Sequence, residues 1–194
     1  MRIGIFGGTF DPIHNGHLVI AQTAINEIPL DQVLFIPAGI PPHKTDHEIT
    51  SPELRLALVQ EAIAGNPRFG VSTVELERQG PSYMIDTLKH FQSDAQHRND
   101  RFFLIIGADN LITFQHWYHY DEILKLCTLA VYPRYESDLL KAAPEVMERA
   151  IVFKAPRMEI SSSYIRDLVK QGKSIKYLVP EAVERFILRH RLYH

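Results

Sequence analysis

The sequence is poor in the features that mark secreted, membrane-bound or disulfide-stapled chains. It has a single cysteine, Cys127, which can form neither an internal disulfide nor a multi-thiolate metal site. In the run Leu124-Lys125-Leu126-Cys127 it reads as a small buried apolar residue. No apolar run approaches the ~18 residues that a membrane span requires, and Met1-Arg2-Ile3-Gly4 enters a candidate strand without a signal peptide's long apolar region. A cytoplasmic protein with no membrane partner is expected. Excess charge is missing too: 21 basic against 23 acidic residues leave a net charge of -2, which argues against broad electrostatic binding to nucleic acid. The stretch from Arg157 onward is the basic part, read as the solvated faces of the last helices. The two commonest phosphate loops are also absent, since Gly4, Gly7 and Gly8 fit neither Gly-x4-Gly-Lys-Ser/Thr nor Gly-x-Gly-x-x-Gly.

What is present is ordinary globular material, with 45% hydrophobic and 23% charged residues. At roughly 150 residues per domain, 194 residues predict one domain over 1–194, with a helical part from about 161 to 194. Short β-branched or apolar runs at 3–6, 33–36, 69–74, 102–106, 129–132 and 151–153 are strand candidates. Between them, residues 17–27, 52–64, 82–92 and 121–126 carry apolar side chains at three- and four-residue spacing, the pattern of helices with one buried face. Residues 161–171 and 180–189 give two further helices, and Gly172 is a helix stop. The stretch 137–148 is readable as a helix or an insertion. Alternating strands and helices require crossover connections, so the expected fold is α/β: a Rossmann-like, doubly wound, mainly parallel sheet with helices on both faces. Such sheets bind ligands at the carboxyl ends of their strands, near a topological switch point.

The first strand runs into Gly7-Gly8-Thr9-Phe10-Asp11-Pro12-Ile13-His14-Asn15-Gly16-His17, and a helix follows at once. Adjacent glycines let backbone N–H groups approach an anion, and the helix start behind them adds partial positive charge, so phosphate is the natural ligand. Where a Walker loop has lysine, this one has His14 and His17, three apart, whose rings can face one point beyond the strand end and donate to phosphoryl oxygens. No cluster of carboxylates joins them, or the pairs His43/His47 and His116/His119, in a zinc-type pattern, and no protein-held metal site is expected. Further on, Ile160-Ser161-Ser162-Ser163-Tyr164-Ile165-Arg166 places an N-capping serine at a helix start with Arg166 about one turn in, a second arrangement suited to a phosphate group.

These two segments together resemble the paired signature of the HxGH nucleotidyltransferase superfamily, the first reading His14-Asn15-Gly16-His17 here. Three intervening segments resemble the bacterial nicotinate-nucleotide adenylyltransferases within it: Pro41-Pro42-His43-Lys44, Gly80-Pro81-Ser82-Tyr83-Met84-Ile85-Asp86-Thr87-Leu88, and Gly107-Ala108-Asp109-Asn110 followed by Phe114-x-x-Trp117. The resemblance implies transfer of AMP from ATP to nicotinate mononucleotide, giving deamido-NAD and pyrophosphate. It implies that His14 and His17 contact the triphosphate, that Gly8, Thr9 and Phe10 hold phosphates through their backbone, and that Lys44 adds positive charge. Ser161, Ser162 and Arg166 would hold the outgoing pyrophosphate, and Gly107 and Asp109 would meet the adenosine ribose. Trp117 would stack on the nicotinate ring, with Ser82, Tyr83 and Met84 beside its carboxylate. One departure is Met84, where the family usually has threonine, which leaves only a backbone N–H there. Mg²⁺ is expected, bound mainly through the ATP phosphates.

From the residues alone, other readings stay open. Trp117 among His116, Tyr118, His119 and Tyr120 suits a packing cluster, Asp109 suits a helix cap, Asp11 before Pro12 suits a turn, and the loop around Lys44 suits a solvated segment or a lid. The same end motifs serve a phosphopantetheine adenylyltransferase, Met84 leaves the amide substrate open, and a non-catalytic nucleotide sensor would bind without turnover. The sequence does not fix oligomeric state, and a homo-oligomer is compatible with it.

Overall fold

The computed structural model describes residues 1–41, 48–133 and 135–194. Six strands, β1 (Arg2–Gly8), β2 (Gln32–Pro37), β3 (Phe69–Val71), β4 (Arg101–Gly107), β5 (Cys127–Tyr132) and β6 (Ala150–Val152), form one sheet in the order β3-β2-β1-β4-β5-β6. Every pairing is parallel. Connections therefore run outward in opposite senses from β1 and β4, and the cleft between their carboxyl ends is the switch point where ligands bind in such sheets.

Alternation along the strands explains the two cores. Phe6, Val33, Phe35, Phe103, Ile105 and Ala130 point to one face, where α1 (Asn15–Glu27), α2 (Pro52–Ile63), α9 (Ser162–Lys170) and α10 (Glu181–His190) cover them. Ile3, Ile5, Ile36, Phe102, Leu104, Ile106, Leu129 and Val131 point to the other. There they meet α4 (Met84–Ser93), α5 (Ala108–Ile112), α6 (Tyr120–Leu126) and α8 (Pro144–Met147). Strands buried on both sides read as nearly continuous apolar runs, which marks the central four, while the edge strands β3 and β6 are only partly covered.

The departures are local. The run 69–74 is strand only to Val71, and Val74 opens a single helical turn, α3 (Val74–Glu77). The helix expected from Ser82 starts at Met84, because Ser82 is tied to the end of β2: its N–H donates to Ile40 O (2.9 Å) and its Oγ accepts from Gly39 N–H (2.9 Å). The ambiguous stretch 137–148 holds two short helices, α7 (Glu136–Leu139) and α8. The stop at Gly172 is realised as a Schellman turn, with Gly172 at φ 65°, its N–H on Val169 O and the Lys173 N–H on Leu168 O (both 2.9 Å). No described helix is long and apolar enough to cross a membrane.

Candidate active site

β1 carries Gly7 and Gly8 to the carboxyl edge of the sheet, and residues 9–12 turn the chain toward α1. Phe10, in the left-handed region at φ 50°, drops its ring into the core against Phe6 (6.0 Å) and Phe35 (5.8 Å). The ring passes so close to the strand end that a Cβ on Gly8 would lie 3.0 Å from it. A side chain at position 8 would press on the Phe10 ring, which would have to give by a few tenths of an ångström.

The two histidines form one unit. Their rings stack with centroids 3.7 Å apart and planes inclined by 24°, and the glycine between them makes this possible: a Cβ on Gly16 would stand 3.0 Å from the His14 ring. Nδ1 of His17 accepts a hydrogen bond from the His14 backbone N–H (3.2 Å) at the start of α1. A neutral imidazole whose Nδ1 accepts must carry its proton on Nε2, so His17 presents a donor. Burial, and secondarily the adjacent His14, push the His17 pKa well below the ordinary 6.5 and keep it neutral near pH 7. Phe10 meets the same ring edge-on at 5.1 Å.

The second helix start closes the other side. Ser161 caps α9, its Oγ accepting from Tyr164 N–H (3.2 Å). Ser162 Oγ donates to Pro12 O (2.8 Å), and Arg166 donates to Asp11 O (2.7 Å). Residues predicted to hold a phosphate group therefore also hold the glycine loop, so the two motifs, about 150 residues apart, form one structure.

A cavity of about 920 Å³ opens between the ends of β1 and β4, lined by Gly8, Thr9 and His17 on one flank and by Ser82, Tyr83, Met84 and Trp117 on the other. Met84 is the first residue of α4, where an amide N–H has no intrahelical acceptor. Trp117 packs on Phe114 (5.1 Å, 34°) with part of its surface on the cavity, so it is both a packing residue and a wall. A smaller cavity of about 240 Å³ is lined by His14, His17, Ser161, Ser162 and residues 155–158. His17 and Tyr132 border both.

Of the other expected positions, Gly107 caps α5 and lines the large cavity. Asp109 lies one residue inside that helix and is exposed, and Gly107, not Asp109, takes the capping position. Lys44 falls outside the described residues.

Two anchors of the site have roles that the motifs did not assign. Arg55, 1% exposed on the inner face of α2, donates from Nε to Thr50 O (2.8 Å), from one terminal nitrogen to Thr9 O (2.8 Å) and from the other to Gly39 O (3.2 Å). A signal was available, because Arg55 occupies the stripe shared by Leu58, Val59 and Ile63, where a charge needs partners. Asp11, 2% exposed, accepts from Thr50 N–H (3.2 Å) and from the Tyr193 hydroxyl (2.7 Å).

Among known proteins, residues 5–168 match the family described as cytidylyltransferase-like. A Geobacillus kaustophilus protein named "Probable nicotinate-nucleotide adenylyltransferase" is 43% identical, over 99% of this chain and 86% of its own length. One from Synechococcus sp. (strain JA-3-3Ab) with the same name is 43% identical, over 99% and 94%. In fold, the chain superposes on a Plasmodium falciparum nicotinic acid mononucleotide adenylyltransferase complexed with NaAD, with a TM-score of 0.78 and 18% identity, covering 99% and 97% of the two chains.

Proposed function

The chain belongs to the cytidylyltransferase-like family, among its nicotinate-nucleotide adenylyltransferases, and from that premise we propose that it joins ATP and nicotinate mononucleotide by direct in-line transfer. The observation that carries this reading is the position of His17 on the wall shared by two cavities. A reaction that links two nucleotides needs two adjoining sites with the reacting phosphorus at their junction, and His17 offers a neutral donor there.

Nicotinate mononucleotide occupies the larger cavity in this reading, its ring against Trp117 and its carboxylate toward the amide of Met84. The triphosphate runs along the glycine loop past His14 and His17 to Ser161, Ser162 and Arg166, with Lys44 adding charge and the ribose near Gly107 and Asp109. The attacking phosphate has a second pKa of about 6, so it is already an anion at neutral pH and needs no general base. Its oxygen forms a bond to the α-phosphorus of ATP while the bond from that phosphorus to the β-phosphoryl oxygen breaks, and pyrophosphate leaves with the electron pair. The residues serve to align two anions and to spread the developing charge.

The donors gathered here are imidazoles, hydroxyls, a guanidinium and backbone N–H groups, a set that suits phosphate oxygens, and among the described residues no group of three or more His, Cys, Asp or Glu could hold an ion. Mg²⁺ carried in on the phosphates would neutralise their charge. The reading places the enzyme in a reducing cytoplasm, consistent with Cys127, a lone thiol whose pKa burial pushes up to about 12.

The test is pyrophosphate release with ATP and Mg²⁺, run in parallel on nicotinate mononucleotide, nicotinamide mononucleotide and phosphopantetheine, with each product identified by mass. Turnover is expected to be strongest with nicotinate mononucleotide. Preference for either alternative would replace the substrate, and silence with all three would overturn the reading.

A further inference from the structure

Three of the four carbonyls in residues 9–12 are held from behind by side chains remote in sequence: Thr9 O by Arg55, Asp11 O by Arg166 and Pro12 O by Ser162. With those carbonyls taken by protein donors, the loop is fixed through its acceptor side. The fourth fastening is the Asp11 carboxylate, whose Oδ1 accepts from the Tyr193 hydroxyl at 2.7 Å across 182 residues of chain. Tyr193 reaches it by a deliberate path. After α10 the chain takes a left-handed turn at Arg191 (φ 49°), and Tyr193 itself sits at φ 65°. Two non-glycine residues in a sparsely populated region persist only where surrounding contacts over-determine them. Here the tyrosine ring packs against the core on the sheet face covered by α1, α2, α9 and α10, and the hydroxyl lands on a buried carboxylate.

We infer that Tyr193 is a positioning residue of this active site: its hydroxyl orients Asp11, and through Asp11 it holds the glycine loop in the conformation that receives phosphate. Tyr193 does not line either cavity described above, so it acts through the loop and does not meet substrate. The inference rests on the proposed reaction for its kinetic consequence, but its structural consequence does not depend on which substrate is used.

The decisive variant is Tyr193→Phe, which keeps the ring and removes only the donor. Its kcat is expected to fall about tenfold or more, because small misplacement of aligned groups is costly in rate, while the thermal midpoint stays within a few degrees of the parent. Amide hydrogen exchange, followed on peptides covering residues 6–13 and on peptides from α10, supplies a readout independent of substrate. Exchange in 6–13 should accelerate in Tyr193→Phe, with α10 changing less. Leu192→Ala, which removes packing beside the contact but not the hydroxyl, should lower the midpoint and leave kcat close to normal. If Tyr193→Phe accelerates exchange only in α10, or loses activity only in proportion to its loss of folded protein, Tyr193 is an anchor for that helix and the inference is overturned. If the parent protein turns over none of the three acceptors, the proposed reaction fails, and exchange in 6–13 still decides the role of Tyr193.

Discussion

At position 17 an imidazole is held neutral near pH 7, and the surroundings explain how. Burial first, and then the adjacent His14 stacked on the ring, disfavour a second proton on His17. A pKa held below 6.5 in the folded chain has a defined sign in stability. As pH falls below 6.5 the unfolded chain binds a proton that the native ring refuses, so folding weakens on acidification and the contribution is intact above that pH. His17→Ala should therefore flatten the fall of the thermal midpoint between neutral pH and about pH 5, where unfolded histidine becomes protonated. The same variant should lower kcat by on the order of 10² with the fold retained, as expected for loss of a donor to a developing negative charge. A near-parental rate would remove His17 from the role proposed for it. The motif made this residue conspicuous in the sequence, and its tautomer follows from the local contact with His14; its place between two cavities came from tertiary neighbours.

The start of α1 is where local preference and site geometry compete. Alanine normally favours a helix over glycine by up to about 1 kcal/mol, so Gly16→Ala would be a stabilising change on an exposed helix. Here the added methyl meets the His14 ring at 3.0 Å, a distance that requires the ring to move. The expected outcome is a thermal midpoint within a few degrees of the parent together with about tenfold slower turnover, because a small shift of one ring misaligns the other stacked on it. Steady-state kinetics beside a melting curve checks both halves. Periodicity revealed this helix and the five other long ones, and it placed the six strands, the central four because strands buried on both faces write themselves as apolar runs. It misjudged the start of α4, where Ser82 fits the pattern of a first helical residue but is spent on the backbone of Gly39 and Ile40. Hydrogen bonds to a neighbouring strand end leave no periodic mark.

Over the whole molecule, one buried guanidinium links α2, the end of β2 and the glycine loop. Arg55→Met keeps comparable volume but leaves the carbonyls of Thr9, Gly39 and Thr50 without this donor. A loss of about 3 kcal/mol in unfolding free energy is expected from breaking such a buried charged contact, measurable by urea titration, and activity should fall beyond what the folded fraction explains. This linkage was only partly legible. An arginine on an apolar stripe announces a buried partner, but nothing in the sequence says that one of its partners is the Thr9 carbonyl, 46 residues earlier. Likewise Asp11 reads as a turn residue until Tyr193 is seen against it. That contact has a consequence for how the protein comes into being. At about 5–20 residues per second of synthesis, residue 193 follows residue 11 by roughly ten to forty seconds. The most recognisable stretch of the chain is thus made well before residue 193, and it must wait for that residue before it is fully fastened.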